Sequence, residues 1–359
     1  MKIITEIADL APAYPMDVYA PEEEILFFDI ETTGLRKESS QVYLIGCAFL
    51  ERTEEGEAFW KIRQYLAESA LDEREVMEAF SEFAHGFSTL VHFNGDGFDI
   101  PYLAYKAEYY DLDLDFSRFQ SIDIYRLAKP LKKLLQLPNM KQKSIEGFLQ
   151  IGRDDLYNGG ELIPVYYEYE RSGSEEAEHL LLLHNFEDVK GMMHLVSILA
   201  YCQLTDGTFS FRDLEVSGDT AVFAFRLERP LPKELEYETE KGRIRIFAGD
   251  DLLQLSVRIF EGIARLPLPD VENYYYLPEE DRVIHKDVAQ FVDKSHRKKA
   301  TKKNCYLKKE GRFLPQKQVL FTPAFEVEGE PKKTFFELDI CGSTDHRILT
   351  EYALDIILW

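Results

Sequence analysis

Between Ile25 and Leu35 the chain reads Ile-Leu-Phe-Phe-Asp-Ile-Glu-Thr-Thr-Gly-Leu. Ile25, Leu26, Phe27, Phe28 and Ile30 are apolar on both faces of an extended chain, which requires a strand covered on both sides inside a layered domain. Asp29 and Glu31 stand two positions apart and project from one face, after which Thr32-Thr33-Gly34 turns the chain away. Two anions that close, at the end of a buried strand, call for a cation. Solvated acids at a strand end are the competing reading, and the apolar run around Asp29 argues against it.

The 359 residues suffice for two domains with full cores, and 45% hydrophobic residues indicate a globular chain. No apolar run approaches bilayer length, and the first ten residues lack a basic region followed by an apolar block. A soluble, cytoplasmic protein without membrane contact is expected. Cys47, Cys202, Cys305 and Cys341 are too scattered for a zinc site or a disulfide framework. A net charge of -23 opposes broad adhesion to nucleic acid or anionic membrane and leaves room only for a local basic track. Residues 1–204 carry 18 Lys+Arg against 37 Asp+Glu, and the remainder 24 against 28. That contrast supports a boundary between them.

Three parts follow: a proline-containing leader over residues 1–21, an α/β domain over 22–204, and a smaller β-rich domain over 205–359. The leader is expected to lie on the surface. The strand at Ile25, then Val42–Leu50 and Ala58–Leu66, predict an antiparallel meander, followed by a helix with Val76, Phe80, Phe83 and Ala84 on one face. Thr89–Phe93 predicts a further strand, and helices alternate with strands to about Tyr201, giving a mixed sheet with flanking helices. After Gly207, alternation at Ile244 and Ile246 and at Leu253, Leu255, Val257 and Ile259 predicts antiparallel strands. Turns are expected at Ser217–Asp219, Glu240–Gly242 and Ala248–Asp251. A helix from about Asp287 is expected to run into the basic stretch Lys294–Lys303, and the chain's end is apolar, as strand or helix.

Two further elements carry acids. In His92-Phe-Asn-Gly-Asp-Gly-Phe-Asp-Ile-Pro-Tyr102 a strand end passes through a glycine turn into a helix with Pro101 in its first turn. Asp99 at that entrance would face the sheet edge bearing Asp29 and Glu31, or serve as a plain N-cap. Asn94 is expected to hold the turn through its side chain. In Leu180–Met193, His184 and Asp188 are i and i+4 and share one helical face, with Glu187 one step round and solvated.

Taken in order, Asp29-x-Glu31, Asn94-x-x-x-Phe98-Asp99 and His184-x-x-x-Asp188 resemble the DEDD (DnaQ-like) exonuclease superfamily of the ribonuclease H-like fold. Ile151-Gly-Arg-Asp-Asp155, Ile163-Pro-Val-Tyr166 and His184-Asn-Phe-Glu-Asp188 look more narrowly like its YprB-type members. The resemblance covers residues 22 to 203. It implies a metal-dependent 3′-to-5′ exonuclease acting on ends of single-stranded DNA or RNA or on short oligonucleotides. Asp29, Glu31, Asp99 and Asp188 would hold two Mg²⁺ or Mn²⁺ ions, since hard oxygen donors suit those cations. His184 would orient or deprotonate the attacking water, and Thr32 and Leu35 would contact the terminal nucleotide. One departure stands out: proofreading relatives with a histidine base place the last aspartate five residues later, whereas here the gap is four, as in the YprB-type pattern.

Asp123 and Arg153 are candidates for the cleft wall or for a turn acid and a structural ion pair. Arg126, Lys129, Lys132, Lys133, Lys141 and Lys143 form one basic run. A denser one includes Lys298, Lys299, Lys302 and Lys303, with Tyr306 and Phe313 nearby. Phosphate tracking would use such residues, and solvated helix faces are the alternative. Tyr274–Tyr276 reads as core or edge of the β-rich domain rather than as a stacking platform. The rival functions are an endonuclease of the same fold and a non-catalytic nucleic-acid-binding module.

Overall fold

The strand Ile25–Thr32 (β2) lies inside a six-stranded sheet, flanked by Val42–Arg52 (β3) and Thr89–His92 (β5). With Lys2–Ile7 (β1), Ala58–Leu66 (β4) and Gln120–Asp123 (β6), the order is β1-β4-β3-β2-β5-β6. The β1-β4-β3-β2 pairs are antiparallel, and β2-β5 and β5-β6 are parallel. The expected meander and mixed sheet are therefore present. The computed structural model describes residues 1–153, 157, 159–239 and 244–359. They divide into two units, Met1–Cys202 and Gln203–Trp359.

The apolar runs explain the layering. Ile25 to Phe28 and Val42 to Leu50 are buried along their whole length because helices cover the sheet. Glu73–Ala84 (α1) buries Val76, Met77, Phe80 and Ala84 against β3 and β4. Asp99–Tyr110 (α2), Ile124–Ala128 (α3), Gln142–Leu149 (α4) and Gly159–Ser172 (α5) follow, and Glu175–Leu195 (α6) packs across β2, β3 and β4. The first residues differ from the expected surface leader: β1 pairs with β4 from Lys2 opposite Leu66 to Ile7 opposite Lys61 and forms the sheet edge. Its backbone groups find partners on an otherwise open strand.

The second unit is β-rich. Short helices Gln203–Asp206 (α7) and Lys286–Ala289 (α8) and the terminal helix His346–Ile357 (α9) accompany three sheets. The largest contains Phe209–Ser217 (β7), Thr220–Leu227 (β8), Leu235–Thr239 (β9), Ile244–Gly249 (β10) and Leu252–Arg258 (β11), in the order β7-β8-β11-β10-β9. Phe260–Pro267 (β12), Tyr306–Gln316 (β16) and Thr334–Glu337 (β17) form a second sheet. Tyr274–Leu277 (β13), Arg282–His285 (β14) and Lys298–Lys299 (β15) form the third. The apolar chain end resolves as a helix. The long basic helix expected after Asp287 does not form: α8 stops at Ala289, and the lysines beyond it lie in turns and in β15. The expected turn at Glu240–Gly242 lies outside the described residues. Cys47, Cys202, Cys305 and Cys341 are all free thiols. No described helix is long and apolar enough to cross a membrane.

Candidate active site

Asp29 and Glu31 stand on β2, with Glu31 buried and Asp29 partly open to a cleft. Parallel pairing with β5 brings the next loop alongside, and α2 begins at Asp99. The Ile30 N–H donates to Asp99 Oδ1 at 3.3 Å, tying the helix start to the strand between the two acids. On α6, His184 Nε2 lies 3.2 Å from Glu31 Oε1 and 3.2 Å from Asp188 Oδ2. The helical spacing of four thus sets histidine and aspartate on one face, as the sequence predicts. Asn185, the next residue, donates from Nδ2 to Asp29 Oδ2 at 3.2 Å.

Asp29 is pushed well above the usual carboxylate range by burial first and then by Asp188, Asp99 and Glu31, with Asn185 opposing. All four acids therefore share one electrostatic neighbourhood. Burial raises Asp99 to about 7, partly offset by its hydrogen bonds from backbone N–H groups. The oxygen-rich set fits a hard divalent cation, which would relieve that repulsion. Glu31, His184 and Asp188 supply ligand atoms that all lie within 4.8 Å of one another.

Two supports were not read from the sequence, and a third, Arg153, takes the ion-pair role that the sequence offered beside a place in the cleft wall. Gln64 Nε2 donates to Asn185 Oδ1 at 3.0 Å, so a buried amide chain runs from β4 through α6 to Asp29. Gly46 on β3 makes room for it, since a Cβ there would lie 2.1 Å from Asn185 Oδ1. A glycine inside an apolar strand was the available signal of close approach. Finally, Arg153 Nη2 donates to Asp188 Oδ1 at 2.6 Å, while Nη1 reaches Glu146 Oε1 and Oε2 at 3.1 and 3.2 Å. Burial opposes the charge of this guanidinium, and Asp188 and Glu146 outweigh it. Asp154 and Asp155 of the same motif lie outside the described residues.

The cleft, of about 470 Å³, is lined by Asp29, Asp99, Asn94, Phe93, Phe98, Tyr125, Lys141 and Gln142. Lys141, from the first basic run, is thus beside the acids. Asn94 sits on the rim with φ +63°, and the turn is closed by backbone rather than by its side chain: Gly97 N–H donates to the Asn94 carbonyl at 3.0 Å. Asp123 is buried and accepts from the Asn94 and Arg126 N–H groups at 2.9 and 3.3 Å, which makes it a turn and cap acid. The Thr32 hydroxyl donates to the Gly34 carbonyl at 2.9 Å, and Leu35 is 85% exposed. Glu187, expected in solvent, is buried. Lys298, Lys299, Lys302 and Lys303 belong to the second unit.

The family model of the RNase_H superfamily matches residues 26–200. No curated protein matches the chain. Among solved structures, E. coli exonuclease I in complex with a dT13 oligonucleotide aligns at 9% identity and TM-score 0.29, over 56% of this chain and 55% of that one. E. coli exonuclease I in complex with a 5cy-dA13 oligonucleotide aligns at 11% identity and TM-score 0.31, over 80% and 65%. The chain thus spans less than two thirds of either. The segment 26–200, which holds the mixed sheet from β2 onward, is therefore similar to the RNase_H superfamily.

Proposed function

We propose that this protein is a nuclease, and more narrowly a metal-dependent 3′-to-5′ exonuclease acting on single-stranded DNA or RNA ends or short oligonucleotides. The observation that carries the reading is His184 Nε2 held 3.2 Å from both Glu31 and Asp188, while burial and neighbouring acids push Asp29 and Asp99 above the usual carboxylate range. Asp29, Glu31, Asp99 and Asp188 would hold two Mg²⁺ or Mn²⁺ ions. Bound there, such ions neutralise the acids and polarise the phosphodiester.

His184 accepts a proton from the attacking water, and Glu31 and Asp188 stabilise the imidazolium that results. The water oxygen bonds to phosphorus and the bond to the 3′ oxygen breaks. That oxygen gains a proton, leaving a shortened strand with a 3′-hydroxyl and a free nucleoside 5′-monophosphate. Asn185 and Gln64 fix the Asp29 carboxylate, and Arg153 fixes Asp188. Lys141 is suited to a substrate phosphate, Asn94 and Thr32 border the terminal nucleotide, and Leu35 is exposed enough to wedge against its base.

End-labelled single strands incubated with Mn²⁺ should shorten stepwise, and Asp29→Ala should abolish this. Activity unchanged by that substitution overturns the assignment. Cleavage of circular single strands would make the enzyme an endonuclease, and tight oligonucleotide binding without any hydrolysis would make it a non-catalytic binding module.

A further inference from the structure

The strand β15 is the edge of the three-stranded sheet β14-β13-β15 in the C-terminal unit. Its register sets Lys299 opposite Tyr275 and Lys298 opposite Tyr276. Directly opposed residues of an antiparallel pair share a face, and the period of two puts Arg297 on the side of Lys299 and Tyr275. The Arg297 guanidinium accordingly lies 4.9 Å from the Tyr275 ring centroid. The other face is anchored within the unit, where the Tyr276 and Tyr306 hydroxyls both donate to Asp281 Oδ1, at 2.7 and 2.8 Å. Tyr275 is left half-buried, with the Arg297 guanidinium over one face of its ring and Lys299 opposite it in the register.

Just beyond β15 the chain turns at Thr301–Asn304. Asn304 N–H donates to the Thr301 carbonyl at 3.0 Å, and Thr301 donates from N and Oγ1 to Asn304 Oδ1 at 2.6 and 3.0 Å. The turn presents Lys302 and Lys303 to solvent.

Charge separates these lysines from their neighbours. Arg282 faces Glu280, Lys308 faces Asp281 and Lys309 faces Glu337. Lys298, Lys299, Lys302 and Lys303 are exposed, and their side chains make no ion pair or hydrogen bond among the described residues. In a chain of net charge -23, four cations without a counter-ion beside an aromatic ring are complementary to an external polyanion. The ring face that Arg297 leaves uncovered suits a stacked base, with the neighbouring lysines placed for its phosphates.

We infer that this face of the C-terminal unit is a binding surface for single-stranded nucleic acid. Binding there is independent of the acids on β2, α2 and α6. Single strands are favoured over duplexes because the Tyr275 ring needs the face of an unstacked base.

The test is fluorescence anisotropy of the full chain with labelled single-stranded and duplex oligonucleotides, in EDTA and over a series of salt concentrations. The combined substitution Lys298→Ala, Lys299→Ala, Lys302→Ala and Lys303→Ala should weaken binding at least about tenfold. It should flatten the logarithmic salt slope by about 0.7 for each phosphate that no longer meets a cation. Tyr275→Leu, which keeps apolar bulk and removes the ring face, should cost about tenfold. Unchanged affinity and salt slope in the fourfold variant overturn the inference, as does a duplex bound as tightly as a single strand. Phe291, in the turn after α8, is 84% exposed. Lysine-dependent capture by phosphatidylserine vesicles without oligonucleotide binding therefore replaces nucleic acid with a lipid surface and also overturns it. Lysine-dependent oligonucleotide binding by a protein that hydrolyses nothing supports the surface and sinks the exonuclease reading alone.

Discussion

Arg153 clamps Asp188: its Nη2 lies 2.6 Å from Asp188 Oδ1, while Glu146 takes the other end of the same guanidinium. His184 meets the remaining oxygen, Oδ2, at 3.2 Å, so both oxygens of the last acid are oriented before any substrate arrives. Glu146 and Arg153 nearly cancel in charge. The clamp therefore sets geometry and leaves the demand for cations with the four acids.

Removing one half of that clamp strands a buried charge. Arg153→Ala leaves Glu146, which is 2% exposed, with the neutral Gln142 amide in place of a cation, and should lower stability by about 3–5 kcal/mol. The pair Arg153→Leu with Glu146→Leu should recover most of this while activity stays low, because Asp188 is no longer held. Urea unfolding of both variants beside hydrolysis rates checks it; equal stability of the single and paired variants would speak against the clamp.

Gly46→Ala tests the amide chain behind Asp29. The new methyl would sit 2.1 Å from Asn185 Oδ1 and 2.9 Å from Val189 Cγ2, forcing α6 away from β3. A loss of about 1–3 kcal/mol is expected, with activity falling as Asn185 withdraws from Asp29. Asn185→Ala should reduce activity at smaller cost in stability. Melting curves and single-turnover rates distinguish the two.

His184→Ala should lower kcat by about 10²–10⁴ with little effect on KM, as removal of a general base does. The same substitution should weaken Mn²⁺ binding less than Asp29→Ala does, measured by isothermal titration. A parallel loss of metal affinity in both variants would make His184 a ligand rather than a base.

Acidity of Asp99 gives a pH signature in metal-free protein. Its folded value of about 7 lies above the unfolded value of about 3.9, so between these the folded state carries a proton that the unfolded state has lost. This favourable contribution is complete below about pH 4, is lost as pH rises, and levels off above about pH 7. Asp99→Asn removes the titration and keeps an acceptor for the Ile30 N–H. In EDTA, its stability advantage over wild type should grow from pH 4 to 7, and divalent ions should close the gap at pH 7.5. Parallel urea midpoints across the range would exclude the effect.

Much of the arrangement was readable because it is local. Asp29 and Glu31 share a face through the strand's period of two, His184 and Asp188 through the helical turn, and Asp99 stands where a glycine turn enters a helix. Those spacings, with runs apolar on both faces, determined the mixed sheet and which acids could meet. Other features depend on partners far along the chain. Lys2–Ile7 became an edge strand through pairing with β4, and the basic stretch near Lys298 became a strand by pairing with Tyr275 and Tyr276. A run of lysines has no helical preference strong enough to resist such hydrogen bonds. Asn185 reaches Asp29 across 156 positions, and Arg153 reaches Asp188 across 35. By itself, then, the sequence determined the periodic elements and the identity of the acids. Only the tertiary structure decided which amide and which guanidinium hold them, because those contacts arise from packing α6 onto the sheet and carry no local period to be read.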